Sequence, residues 1–181
     1  ISAGLVGWSL SQPARIFMAY AERYRQVPSV APMQSRSSRL FFDLRNTTVR
    51  YISGPEQFEV VPEFMFGIEG PASINFHDPW PDWSPYTFLV LEFDNPGAAE
   101  ISANLRIHDR AHLDGDQPGS DRFRTRLTVP PGSHALRLAL DDIERAPSTR
   151  AMDLNQIDGL VIYRAEQGTG RRFRIRDIRL E

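Results

Sequence analysis

Residues 106–123 read Arg-Ile-His-Asp-Arg-Ala-His-Leu-Asp-Gly-Asp-Gln-Pro-Gly-Ser-Asp-Arg-Phe, the densest run of chemically capable side chains in the protein. Two imidazoles, His108 and His112, stand among four carboxylates, Asp109, Asp114, Asp116 and Asp121. Asp114-Gly-Asp116 sets oxygen ligands at alternating positions, as a hard cation such as calcium would use them, whereas zinc would want a fixed set that includes imidazoles. Neither the full calcium-loop pattern nor the His-Glu-x-x-His zinc pattern is present. The expectation is therefore no cofactor, with Asp109, Asp114, Asp116 and Asp121 as the residues calcium would take. In the metal-free reading His108 and Asp109 hold the strand ends by hydrogen bonds.

A second stretch, residues 75–86, reads Asn-Phe-His-Asp-Pro-Trp-Pro-Asp-Trp-Ser-Pro-Tyr. Indole rings stack on the apolar faces of sugars, and Asp, His and Arg nearby would bind hydroxyl groups, so Trp80 and Trp83 are candidates for a glycan platform. The competing reading makes them plugs at one end of a β-structure, more so for Trp83, which stands just before a strand. Nucleophilic chemistry finds less: no Gly-x-Ser-x-Gly elbow occurs, and Ser133-His134 has no evident partner. Most carboxylates fall at turn positions that need no catalytic explanation.

Composition narrows the classes further. The chain has 181 residues, 41% of them hydrophobic, and 21 basic against 23 acidic residues leave a net charge of −2. There is no global positive field to gather nucleic acid. All of the basic residues are arginines and there is no cysteine, so thiol chemistry and disulfides are excluded. Any basic site is built from planar guanidinium forks, which suit carboxylate, sulfate, phosphate or hydroxyl groups.

These candidates need elements to position them. Ile16, Tyr20 and Tyr24 recur at helical spacing, and with Pro13 in a first turn they predict one short helix over residues 12–26. Residues 27–38 are rich in proline and serine without periodicity, which predicts an extended linker. The expected organisation is a helix and linker over 1–38, of a kind that could serve as a juxtamembrane tether, and a folded domain over 39–181. From residue 39 the period becomes 2: strands are expected over 39–46, 49–52, 58–61, 64–68 and 72–76, then along Leu89, Leu91 and Phe93, along Ile101, Ala103, Leu105 and Ile107, along Phe123, Leu127 and Val129, and along Leu136, Leu138 and Leu140. Two more are expected over 160–164 and 172–180. Short strands separated by turn signals predict an all-β fold, a jelly-roll β-sandwich. Opposite the apolar positions stand Ser102, Asn104, Arg106 and His108 in one strand and Arg122, Arg124 and Arg126 in the next. If the two strands are neighbours, one sheet carries an arginine-rich outer face.

Several pieces follow one another in an order that is itself informative: Asp82-Trp-Ser-Pro-Tyr86, Leu89-Val-Leu-Glu-Phe-Asp-Asn-Pro96, Leu105-Arg-Ile-His-Asp-Arg110, Asp121-Arg-Phe-Arg124, Val129-Pro-Pro-Gly132, Leu138-Ala-Leu-Asp-Asp-Ile143, Met152-Asp-Leu-Asn-Gln-Ile157 and Asp177-Ile-Arg-Leu180. Over this part the chain resembles the galactose-binding-like β-sandwiches of bacterial carbohydrate-binding modules and their relatives among complex I intermediate-associated proteins. The resemblance implies a domain at the periplasmic side or cell envelope, where a tether outside this fragment would be the link to the membrane. The family's acidic pair before Ile-Arg-Leu is here Arg176 and Asp177, a departure that counts against a structural calcium.

Taken together, the expected function is non-catalytic recognition of a polysaccharide, acidic sooner than neutral, through Arg106, His108, Arg122 and Arg124 on one sheet face with Trp80 and Trp83 at its rim. The alternative is a protein-interaction or assembly domain that docks a protein partner on the same face. A third is a hydrolase using carboxylates or the His108, Asp109, His112 and Asp121 cluster.

Overall fold

The computed structural model describes residues 2–25, 27–31, 33–34, 36–54, 60–165 and 171–181, with side chains from residue 13 onward except Arg36. Ten strands form two antiparallel sheets packed face to face. Sheet I has the order β1-β4-β9-β6-β7, built from Phe42–Arg45, Ser73–His77, Ile157–Arg164, Ile101–Asp109 and Phe123–Val129. Sheet II has the order β2-β3-β10-β5-β8, built from Thr47–Ser53, Val60–Phe66, Arg172–Leu180, Phe88–Asn95 and Gly132–Ala139.

The period-2 pattern is obeyed most cleanly in β6. There Ile101, Ala103, Leu105, Ile107 and Asp109 are buried, and the residues between them face outward. The core between the sheets is filled by such inward rows, with Phe42, Phe64, Phe76, Leu91, Ile162 and Ile175 among its members. Each fully buried Leu, Ile or Phe contributes about 1.5–3 kcal/mol, which fixes the register and so fixes which residues are left outside.

Several elements differ from the sequence expectation. The residues expected as one strand from 39 to 46 open instead as a 3-10 turn, Arg36–Phe41, before β1. The segments 58–61 and 64–68, read as two strands around Pro62, are one strand from Val60 onward, while Phe58 and Glu59 lie outside the described residues. Pro62 is tolerated because it stands beyond the last β3–β10 pair, Arg174 with Glu63, where the strand has only β2 as a neighbour. Short helices α2 (Arg110–Asp114) and α3 (Leu140–Glu144) lie in the connections.

The N-terminal helix, α1, spans Ser2–Arg25, starting well before the expected residue 12. Pro13, expected in a first turn, lies inside the helix. The stretch expected as a linker over 27–38 ends in the 3-10 turn that begins at Arg36, and its described residues before that carry no helix or strand, yet they are seated on the sandwich. Ser29 bridges Arg179, the Val30 amide donates to the Ile178 carbonyl at 2.7 Å, and Val30, Ala31 and Met33 are buried in the core. The last turns of α1 follow: Ala19 and Arg23 are buried, and Tyr20 and Arg23 donate to Asp78 at 2.7 and 3.2 Å.

Candidate functional site

The two strands that carry the arginines are neighbours in sheet I, so the face expected from the alternation exists. Arg106 is paired with Arg124 on β7 and with Val161 on β9; Asn104 lies between Arg126 and Tyr163; His108 stands beside Gly159. The rows continue across the sheet to Asn75 and Ser73 on β4 and to Asp43 and Arg45 on β1. Arg122 sits one residue before β7, at the same end as His108. A shallow cavity of about 340 Å³ lies on this face, lined by Arg45, Ser73, Asn75, Arg106, Arg124 and Tyr163 among others.

The electrostatics of the face are one-sided. Among the described residues, Arg106, Arg122 and Arg124 take part in no ion pair. The Nε atoms of Arg106 and Arg122 are buried without a hydrogen-bond partner. Burial lowers the affinity of the Arg106 guanidinium for its proton, and the nearby charges of Arg122 and Arg124 lower it further. Burial and Arg124 act on Arg122 in the same direction. A buried donor with no acceptor and three neighbouring like charges are both costs that an incoming anion would remove.

His108 lies across the backbone of β9. A Cβ at Gly159 would come within 2.4 Å of its ring, so glycine there is what admits the imidazole. Burial, with Arg106 next in weight, pushes its pKa down to about 4, against a weaker upward pull from Asp158. At neutral pH the ring is therefore uncharged, and its buried Nδ1 has no partner.

The acidic cluster serves another purpose. Asp109, 0% exposed, accepts the backbone N–H groups of His112 and Asp153 at 3.0 and 2.8 Å, capping α2 as it does so. The Arg150 guanidinium closes on it in a two-pronged contact of 2.5 and 2.7 Å, and reaches Asp121 at 2.7 Å through Nε. Burial alone would raise the Asp109 pKa, but Arg150 and the two amides outweigh it and hold the carboxyl below the usual range. His112 completes the cluster, its Nδ1 being 3.3 Å from Asp121. Arg150 occupies the place between Asp109 and Asp121, two of the residues that calcium would take, and the other two, Asp114 and Asp116, are exposed and lie outside the cluster. Among the described residues no three His, Asp or Glu side chains converge on a point that could hold a metal ion.

The indoles require correction. Trp83 is 0% exposed, and its Nε1 donates to the Trp80 carbonyl at 2.6 Å, so it plugs the end of the sandwich and offers no face to a ligand. Trp80 is partly buried against the core, its ring met edge-on by Tyr24 of α1 at 5.3 Å, and it does not line the arginine cavity. The aromatic that does is Tyr163, which the sequence reading passed over. Its signal was present in β9, where Leu160 and Ile162 point inward and leave Val161 and Tyr163 on the arginine side.

No family model matches the chain. No curated protein matches it either. Solved structures do. A family 11 carbohydrate-binding module from Clostridium thermocellum, in complex with a β-1,3-1,4-mixed-linked tetrasaccharide, superposes with a TM-score of 0.62 at 14% identity, over 78% of this chain and 88% of that one. A family 30 carbohydrate-binding module of a cellulosomal cellulase from the same organism gives 0.54 at 13% identity, over 74% and 82%. An exo-β-agarase gives 0.61 at 13% identity over 84% of this chain, which spans only 24% of that enzyme. The β-sandwich is thus the fold of carbohydrate-binding modules. None of the neighbours named here is a complex I intermediate-associated protein.

Proposed function

We propose that this domain is a non-catalytic carbohydrate-binding module and that it holds an acidic polysaccharide across the outer face of sheet I. The observation that carries the reading is the absence of any counter-ion to Arg106, Arg122 and Arg124 among the described residues, together with their two partnerless Nε groups. Guanidinium forks take uronate carboxylates or sulfate esters in two-pronged contacts. Asn75, Asn104 and Ser73 supply hydrogen-bonding groups suited to sugar hydroxyls, and neutral His108 another. Tyr163 supplies the ring against which a sugar face would rest. The likeness of the whole sandwich to carbohydrate-binding modules supports the same reading. So does the state of the acidic cluster, where Arg150 engages Asp109 and Asp121 and leaves neither as a free general acid or base. A cell-envelope location belongs to this proposal, since acidic polysaccharides are met there.

Affinity electrophoresis in gels containing acidic or neutral polysaccharides, at low and high salt, tests it. Wild-type protein is retarded by an acidic glycan and released by salt, Arg122→Ala and Arg124→Ala each lose about tenfold in affinity, and Trp80→Ala binds as wild type does. Unchanged affinity in both arginine variants overturns the sheet-face site. Absence of binding to every glycan transfers the face to docking of a protein partner.

A further inference from the structure

Large apolar side chains exposed to solvent are concentrated in one place. Ile16, Phe17, Met18, Tyr20 and Tyr24 of α1 and Leu40 of the adjoining 3-10 turn are all exposed, Phe17 by 75% and Met18 by 69%; elsewhere among the described residues only Ile68 and Leu113 are comparable. Ile16, Phe17, Met18 and Leu40 border a groove of about 1360 Å³ between the helix and the turn, while Tyr20 and Tyr24 lean edge-on against Phe41 and Trp80. Arg15, Arg25 and Arg39 rim this groove, and Glu22, the one acid among its described lining residues, is already engaged by Ser37 at 2.7 Å. Arg15 is also the first charged residue of the chain, so the preceding turns of the same helix carry none.

We propose that this face of α1 seats the domain on an anionic lipid surface, with Phe17 and Met18 entering the headgroup region and Arg15, Arg25 and Arg39 meeting lipid phosphates. The charge pattern selects this occupant. Two copies of the chain meeting through the same face would bring two sets of three arginines together with only Glu22 on each side to offset them, whereas an anionic bilayer is complementary to that rim. The contact is interfacial: no helix among the described residues is long and apolar enough to cross a membrane. The inference stands on the helix and its rim and does not depend on what sheet I binds.

Co-sedimentation of the full chain with vesicles tests it, using phosphatidylcholine alone or mixed with phosphatidylglycerol. Wild-type protein pellets with the phosphatidylglycerol vesicles and is released by high salt, and a Phe17→Glu, Met18→Glu double variant, folded by circular dichroism, loses at least about tenfold in partitioning. An Arg106→Ala, Arg124→Ala variant pellets as wild type does. The proposal is overturned if wild-type protein stays in the supernatant, if the Phe17→Glu, Met18→Glu variant pellets equally, or if the sheet I variant loses the binding. A dimer in light scattering that Phe17→Glu splits also overturns it, because the face is then a contact between copies.

Discussion

The outer faces of the two sheets carry the same residue type on the same kind of strand and use it in opposite ways. On sheet II, Glu63 is buried and meets Arg50 at 2.5 Å and Arg174 at 3.1 Å; Arg174 continues to Asp94 at 2.7 Å, and Arg179 meets Glu92 at 2.6 Å. On sheet I, Arg106, Arg122 and Arg124 meet no carboxylate among the described residues, although acids lie nearby in sequence at Asp109 and Asp121. Those two acids are taken by Arg150 instead. A positive charge that the fold has neutralised holds strands together; one that the fold has left unneutralised and partly desolvated is available for something outside the molecule.

The contrast can be broken first at Arg150, whose removal has the largest expected effect. Arg150→Ala leaves the fully buried Asp109 carboxylate with only its two backbone donors, and the expected loss is about 3 kcal/mol in urea unfolding. A loss below about 1 kcal/mol would mean that the acids tolerate separation from Arg150 and that it does not compete for them.

The next effect is one of pH. The unfolded chain protonates His108 near the ordinary value of about 6.5, while the folded pKa is about 4. Between these values the unfolded state binds the proton first, so stability declines as pH falls from about 6.5 to about 4, by up to about 3 kcal/mol. Asp109 and Asp121, held below the usual carboxylate range by Arg150, withdraw their contributions only at lower pH. Unfolding at neutral pH and at about pH 4.5 separates the two, and His108→Asn flattens the upper part of the profile. An unchanged profile in that variant would place the burial cost elsewhere.

The smallest effect is expected where sequence counting would look for a large one. Arg124→Gln removes a like charge beside Arg106 and breaks no ion pair among the described residues, so thermal stability stays the same or rises by up to about 0.5 kcal/mol. A drop of about 2 kcal/mol would show that the charge is structural and would remove the contrast between the sheets.

What could be read from the sequence followed local periodicity. The alternation of Ile101, Ala103, Leu105 and Ile107 with Ser102, Asn104, Arg106 and His108 placed β6 and its outer face correctly, and two successive alternating strands made the pairing of Arg106 with Arg124 a natural expectation. Contacts between distant segments were not legible. Arg150 is 41 residues from Asp109, so nothing in the spacing of the acids showed that a guanidinium would close them. Tyr163 joins the arginine face only because β9 lies beside β6, a neighbour that strand order alone decides. Trp83 stands among prolines and aspartates that suit either an exposed ring or a plug, and its indole fills the end of the core, the reading favoured by its place just before a strand. Residues 27–31 and 33–34 show no periodicity and still become part of the packing, since a segment outside helix and strand can bury single side chains such as Val30 and Met33.

The most direct test of the division between the two faces is calorimetric titration with an acidic polysaccharide at low and high salt, comparing Arg106→Ala, Arg124→Ala on sheet I with Arg50→Ala, Arg174→Ala on sheet II. The account predicts that the sheet I pair abolishes salt-sensitive binding and leaves stability near wild type, while the sheet II pair keeps the binding and lowers stability. Binding that survives the sheet I pair, or is lost with the sheet II pair, contradicts it.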